Sequence, residues 1–294
     1  MSDDRARQRA LGVAALLATL FCFSFGSTLI KLSETPGVTV AFWRLLLCSG
    51  IWVLILRVAE HRWPTREGFR AALVPGIAFG LNLTFFFVGV TRTTVAAAEF
   101  TGALTPFVVV PMAAIVLRER TPLGPLSFGL VSLTGLAIVL FNAPESGEFS
   151  WEGVAWIGGA TLLWATYLIT SRRLRQQRSV VDVMTHMTPI ATAVTLPISL
   201  ILFPGTIDDV TWRSVVFISI LAVLTGTLAH GLMVYAQQAI PIGVISTMQV
   251  SQPALAVTWS VVFLGSTVAG IQIAGMALVI AGLVAVTYFT RRAT

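Results

Sequence analysis

The chain has 294 residues, of which 56% are apolar and 11% charged, and it carries a net charge of +6 at pH 7. A soluble domain carries about a quarter of its residues charged, so that class is excluded, and the long apolar runs exclude a barrel of short alternating strands. The basic residues sit in the connections between apolar runs, which argues against a nucleic-acid surface.

The fold class read from this pattern is all-α, a polytopic membrane protein. Ten spans are predicted, at 10–30, 37–57, 70–91, 94–117, 124–141, 152–171, 181–203, 212–237, 241–263 and 267–290. The first follows Arg5, Arg7 and Arg9; it is too long for a signal-peptide core and has no A-x-A site before Lys31, so it reads as an uncleaved span. It holds no carboxylate. Cys22 and Cys48 both fall inside spans and read as core fillers. Span two carries Arg44, span three Asn82 with Phe85 and Phe86, and span four Glu99 and Pro106. The polar stretch NAPESGEFS, Asn142 to Ser150, separates two five-span halves, 1–145 and 146–294.

The halves repeat. At a shift of 147, Thr105-Pro106 falls on Gln252-Pro253, Leu117 on Leu264 and Gly135 on Gly282. At shifts near 141, Gly12-Val13-Ala14 falls on Gly153-Val154-Ala155 and Arg44 lands on His186. An odd number of spans per half makes the copies point in opposite directions, the inverted repeat of secondary transporters. A mid-span proline removes a donor and clashes one turn back, so Pro106 frees the carbonyl of Gly102 and Pro253 that of Gln249. In lipid those carbonyls need protein or a wet cavity. Paired broken helices point to a substrate pathway; simple packing kinks are the alternative.

Loop charge sets the orientation. Fifteen basic residues fall on the side of the N-terminus, three (Lys31, Arg92 and Arg213) on the other, and Arg44 lies in the membrane. The positive-inside rule therefore places both termini in the cytoplasm.

Together these features resemble the drug/metabolite transporter superfamily, specifically its EamA-type branch. The resemblance rests on Pro36-Gly37 followed by Arg44, the run through Leu104 and Pro106, the Leu117-Arg118-Glu119-Arg120 end, and the Gly-rich fifth and tenth spans. The second copy departs at Gly265-Ser266, where the family usually keeps an acidic residue. Within the family the chain looks most like the YddG-type (aromatic) amino-acid exporters. The resemblance implies a basket-like bundle with a central cavity lined by spans one, three, four, six, eight and nine.

Ionisable groups deep in a bilayer are costly and are candidates for function. They are Arg44, Glu99 and His230, with His186 shallower. At about 1.5 Å per residue, Arg44 and Glu99 share a depth, so an ion pair closing the outer side is expected, with histidines at the mirrored inner position. Asn82, Trp164, Tyr167, His230, Gln249 and Gln252 form the expected substrate pocket, and Arg44, Glu99, Pro106 and Pro253 the expected gate and hinges. Plain interhelical hydrogen bonding is the competing account of the amides. Gly76, Gly80, Gly129, Gly135, Gly275 and Gly282 read as close-packing sites. No metal-ligand spacing, nucleotide loop or nucleophile set is present, so no cofactor and no enzyme is expected. Intramembrane Lys/Arg are too few to hold phosphates. The sequence reading is a bacterial-type inner-membrane carrier that exports small neutral or zwitterionic metabolites, amino acids first among them, by alternating access. A drug or hydrophobic-compound exporter is the alternative. Its partners are a small-molecule substrate and the lipid bilayer.

Overall fold

A computed structural model describes residues 2–90, 92–93, 95–119, 122–142, 149–255, 259 and 269–292. Arg120, Gly265 and Ser266, and with them the second half of the ninth predicted span, lie outside the described residues.

The described residues form helices and connections. The first half holds α1 (Ser2–Ser24), α2 (Gly26–Ser33), α3 (Gly37–Ala59), α4 (Arg66–Ala71), α5 (Leu73–Val90), α6 (Val95–Ala103), α7 (Thr105–Val116) and α8 (Leu123–Phe141). The second holds α9 (Trp151–Arg175), α10 (Val180–Leu202), α11 (Trp212–Leu221), a π-helical segment (Ala222–Ala229), α12 (His230–Ala236), α13 (Ile242–Gln249) and α14 (Gly270–Arg292). Nine spans among the described residues are long and apolar enough to cross a bilayer; α13 begins one more, the ninth in chain order. The helices start where hydroxyl caps precede apolar runs. Thr65 accepts from the Gly68 amide, Ser150 from Gly153 and Ser179 from Asp182, each satisfying a donor that the first turn leaves free.

The inverted repeat is visible in the packing itself. α8 crosses α14, and Ser132 Oγ donates to the Val279 carbonyl at 3.3 Å. Those two positions are equivalent under the 147-residue shift. A Cβ on Gly135 would lie 2.6 Å from the Gly275 carbonyl oxygen, and one on Gly282 would lie 2.8 Å from that of Phe128. Each contact is the other's image under the same shift, so a pseudo-twofold axis passes through this crossing, and only glycine allows backbones so close. The other pairs obey the same symmetry. α3 packs on α10 and α7 on α13, while α5 against α9 mirrors α1 against the π segment and α12.

Two faces differ in chemistry. On the face where the chain begins and ends, Arg62 and Arg178 both pair with Asp182 at 2.7 and 2.8 Å, and Arg178 reaches Glu67 at 2.6 Å. Their hydrogen bonds to Asp182 raise both guanidinium groups above the ordinary arginine value. Glu119 bonds Arg172 at 2.6 Å and accepts from the Ile242 amide at 3.0 Å, tying α7 to α9 and to the start of α13. On the opposite, far face, fewer ion pairs are seen among the described residues: Arg213 with Glu34, and Arg92 with Glu152.

Candidate functional site

The helix breaks converge on one cavity. α6 ends at Ala103 and α7 restarts at Thr105 with Pro106 in its first turn. The carbonyl of Gly102 that a mid-span proline was expected to release is taken locally: Thr105 Oγ1 donates to it at 2.5 Å. On the other copy, α13 ends at Gln249, a turn follows at Val250 and Ser251, and helix resumes over 252–255 with Pro253. Two further irregularities have no proline. α1 stops at Ser24 and α2 begins at Gly26. The π segment at Ala222–Ala229 widens the turn around Thr225 and Gly226, with Thr227 Oγ1 donating five residues back to Ala222. Such segments are frequent at functional sites because they re-aim side chains.

The cavity holds about 280 Å³ and is lined from α1, α2, α3, α5, α6, α7, α9, α11, the π segment, α12 and α13. Its lining extends to Thr35, Gly37 and Val90 near the far face, and among the described residues none of the terminal-face loops lines it. Its inner end is aromatic. The His230 ring sits 4.8 Å from Phe23, 4.6 Å from Phe79 and 5.9 Å from Trp164. Trp164 Nε1 donates to Gln249 Oε1 at 3.3 Å, joining α9 to the broken α13.

The predicted site residues divide. Asn82, Trp164, His230, Gln249, Gln252, Pro253, Arg44 and Glu99 all line this cavity. Asn82 also donates to the Ala160 carbonyl at 2.8 Å, so its amide holds α5 to α9. Tyr167 does not line it; fully buried, it stacks on Phe79 and stands behind His230, its hydroxyl 3.5 Å from Nδ1. Pro106 lines a smaller apolar cavity of about 190 Å³ between α7 and α8. Arg44 and Glu99 do not form the expected ion pair among the described residues, although both face the same space. His186 is not Arg44's counterpart in a pocket. It accepts from or donates to backbone at Thr65 and Asp182 on the terminal face. Span two, absent from the expected lining, contributes Gly37 and Arg44, and the π segment leaves room beside Arg44 at Gly226. A Cβ on Gly226 would lie 2.2 Å from Cys48 Sγ and 3.3 Å from Arg44 Nε. The sequence cue for that arrangement was Thr225-Gly226-Thr227, a glycine between hydroxyls in mid-span. For the first break it was Ser24-Phe25-Gly26-Ser27.

Residues 10–141 and 151–288 each match the EamA-like transporter family. The chain belongs to this family. Among characterised relatives, the threonine/homoserine exporter RhtA of Salmonella typhimurium is 26% identical over 96% of this chain and 93% of its own length. RhtA of Escherichia coli K12 is 24% identical with the same coverage. The pseudopaline exporter CntI of Pseudomonas aeruginosa is 23% identical over 72% of this chain and 75% of its own. A solved crystal structure matches with a TM-score of 0.79 over 96% of this chain and 98% of that one, at 17% identity, which speaks for the fold alone. This EamA-family chain is thus an all-helical membrane transporter built from two repeats.

Proposed function

We propose that this protein is a secondary carrier of the bacterial inner membrane, with cytoplasmic termini, that exports small zwitterionic or neutral metabolites, amino acids first among them. The observation that carries this reading is the cavity of about 280 Å³ placed where both repeats are broken, lined from both halves, with Glu119 linked to Arg172 and Ile242 on the terminal side. A site at the junction of inverted repeats is the arrangement that alternating access requires. The relatives support an export role, since RhtA is named for threonine and homoserine and CntI for pseudopaline. The cavity sets indole, imidazole, amide and charged groups into a largely apolar wall, which suits a small solute with a polar head and an apolar side chain. The narrower kinship with YddG-type exporters belongs to the same proposal, with Trp164, His230, Gln249 and Gln252 as substrate contacts and the two prolines as hinges.

Counterflow in liposomes tests it. Purified protein is reconstituted with an internal pool of one unlabelled amino acid, and entry of the labelled form is followed across a panel from threonine and homoserine to phenylalanine. Saturable acceleration by at least one amino acid is expected. No acceleration by any of them, with movement of cationic dyes instead, would put the drug-exporter reading in its place.

A further inference from the structure

Arg44 and Glu99 are the two charges in the cavity that packing leaves unanswered. Arg44 is 6% exposed, and its Nε has no hydrogen-bond partner. Removing one partner from a buried charge is normally expensive, because desolvation is then uncompensated. The contrast within the same molecule is Arg172. It is 8% exposed, and there the chain supplies Glu119 at 2.6 Å. Among the described residues Arg44 has no carboxylate partner, and Glu99, which lines the same cavity, is itself in no ion pair there. Gly226 keeps the guanidinium uncrowded, since even a methyl group there would approach Nε to 3.3 Å. One positive and one negative group therefore face a shared space of about 280 Å³ without neutralising each other.

We infer that Arg44 and Glu99 are the two anchors for a zwitterion, Arg44 taking the α-carboxylate and Glu99 the α-ammonium of an amino acid. This rests on the cavity being the transport site, and it goes further by assigning the charge recognition to two residues. The guanidinium fork matches a carboxylate in two parallel hydrogen bonds, and charge-assisted bonds of this kind are the strong ones. A zwitterion would complete both charges at once. Trp164, His230 and Gln249, deeper in the cavity, are left to meet the variable side chain.

The test uses masked substrates. The amino acid that exchanges fastest in the counterflow panel is compared with its methyl ester, which lacks the carboxylate charge, and with its N-acetyl form, which lacks the ammonium. In the unmodified protein both masked forms should compete about ten- to a hundredfold more weakly. Arg44→Met should weaken the amino acid by a similar factor and leave the ester nearly unchanged. Glu99→Gln should weaken the amino acid and leave the N-acetyl form nearly unchanged. Arg44→Lys, which keeps the charge without the fork, should fall between. A gating or packing role would instead slow all three solutes alike, and that result overturns the assignment. If Arg44→Met does not fold, the unmodified protein still decides: esters that compete as well as the parent amino acid exclude a carboxylate anchor. Failure of every amino acid to exchange would remove the proposed function itself. Exchange with indifference to masking would remove only the anchors.

Discussion

At Gln249 a side chain serves two elements at once. Its Oε1 accepts from Trp164 Nε1 at 3.3 Å, and its residue ends α13 at the break before Pro253. A neutral hydrogen bond of this sort contributes about 1 kcal/mol, or about fivefold in binding. Trp164→Phe keeps an aromatic face but loses the indole N–H together with part of the ring, so a rise of at least about fivefold in the apparent KM of counterflow is expected. Gln249→Ala should match it, and the double variant should add little, because both remove the same bond. Unchanged KM in folded protein, or fully additive losses, would show that the bond does not shape the site. The amides and the indole were legible as residues because polar groups in apolar runs stand out. Their partners were not: Asn82 holds α9 through Ala160, and Tyr167 hides behind His230. The two histidines were read as a matched pair from depth alone. Depth does not give facing, and His186 turned out to hold the backbone of Thr65 on the terminal face.

At the scale of the element, the breaks with prolines are plain in the sequence, while those without them leave only the fainter mark of a glycine beside hydroxyls. Proline leaves a mark because it lacks a donor, whereas the α1–α2 break and the π segment depend on how helices meet. Thr105 closing onto Gly102 shows that a released carbonyl need not turn to the cavity when a hydroxyl sits three residues on. The π segment is held open by Cys48, whose Sγ donates to the Ala222 carbonyl at 3.3 Å. Gly226→Ala should clash with that sulfur at 2.2 Å and lower stability by about 1–3 kcal/mol, the usual cost of overpacking. Cys48→Ala on top of it should restore part of the loss in thermal melts in detergent. A second change that only adds damage would locate the strain elsewhere. Glu119 is set by another local device. Arg118 takes φ 56°, a left-handed turn unusual for arginine, and the Glu119 amide donates back to Ala113 at 3.3 Å. The turn leaves the carboxylate to bridge Arg172 and the Ile242 amide. A double-mutant cycle of Glu119→Gln and Arg172→Met should give a coupling of about 1–3 kcal/mol. The same cycle on the exposed pair Arg92 and Glu152 should give under about 1 kcal/mol. Equal couplings would mean that the terminal-face link is no stronger than a surface pair.

At the scale of the whole molecule, symmetry was the most legible feature because it is written twice. The 147-residue shift read from the sequence reappears as reciprocal contacts of Gly135 and Gly282 across the α8–α14 crossing. What the repeat could not reveal is which of its two states the chain occupies, since both halves allow either. Here the described lining of the cavity runs to Thr35 and Val90 at the far-face ends of their helices, while Glu119, Arg172 and Ile242 are linked on the terminal side. With the proposed orientation an outward-open carrier is expected, and labelling tests it. Cys22 and Cys48, both free and buried, are first replaced by alanine. Thr161→Cys then places one thiol on the cavity wall at modest change in volume, since Thr161 lines the cavity and its hydroxyl bonds only within α9, to Ile157. A small impermeant thiol reagent should reach it from outside in right-side-out vesicles and far more slowly in inverted ones. The exchanged amino acid should slow the reaction by occupying the same space. Adding Glu119→Gln weakens the closed side alone. A loss of about 1–2 kcal/mol there shifts the balance of states about 5–30-fold, so reaction in inverted vesicles should rise and that in right-side-out vesicles fall together. A thiol that reacts from the terminal side in the parent protein would reverse the orientation. One that reacts equally from both sides, with no response to Glu119→Gln, would describe a channel rather than a carrier.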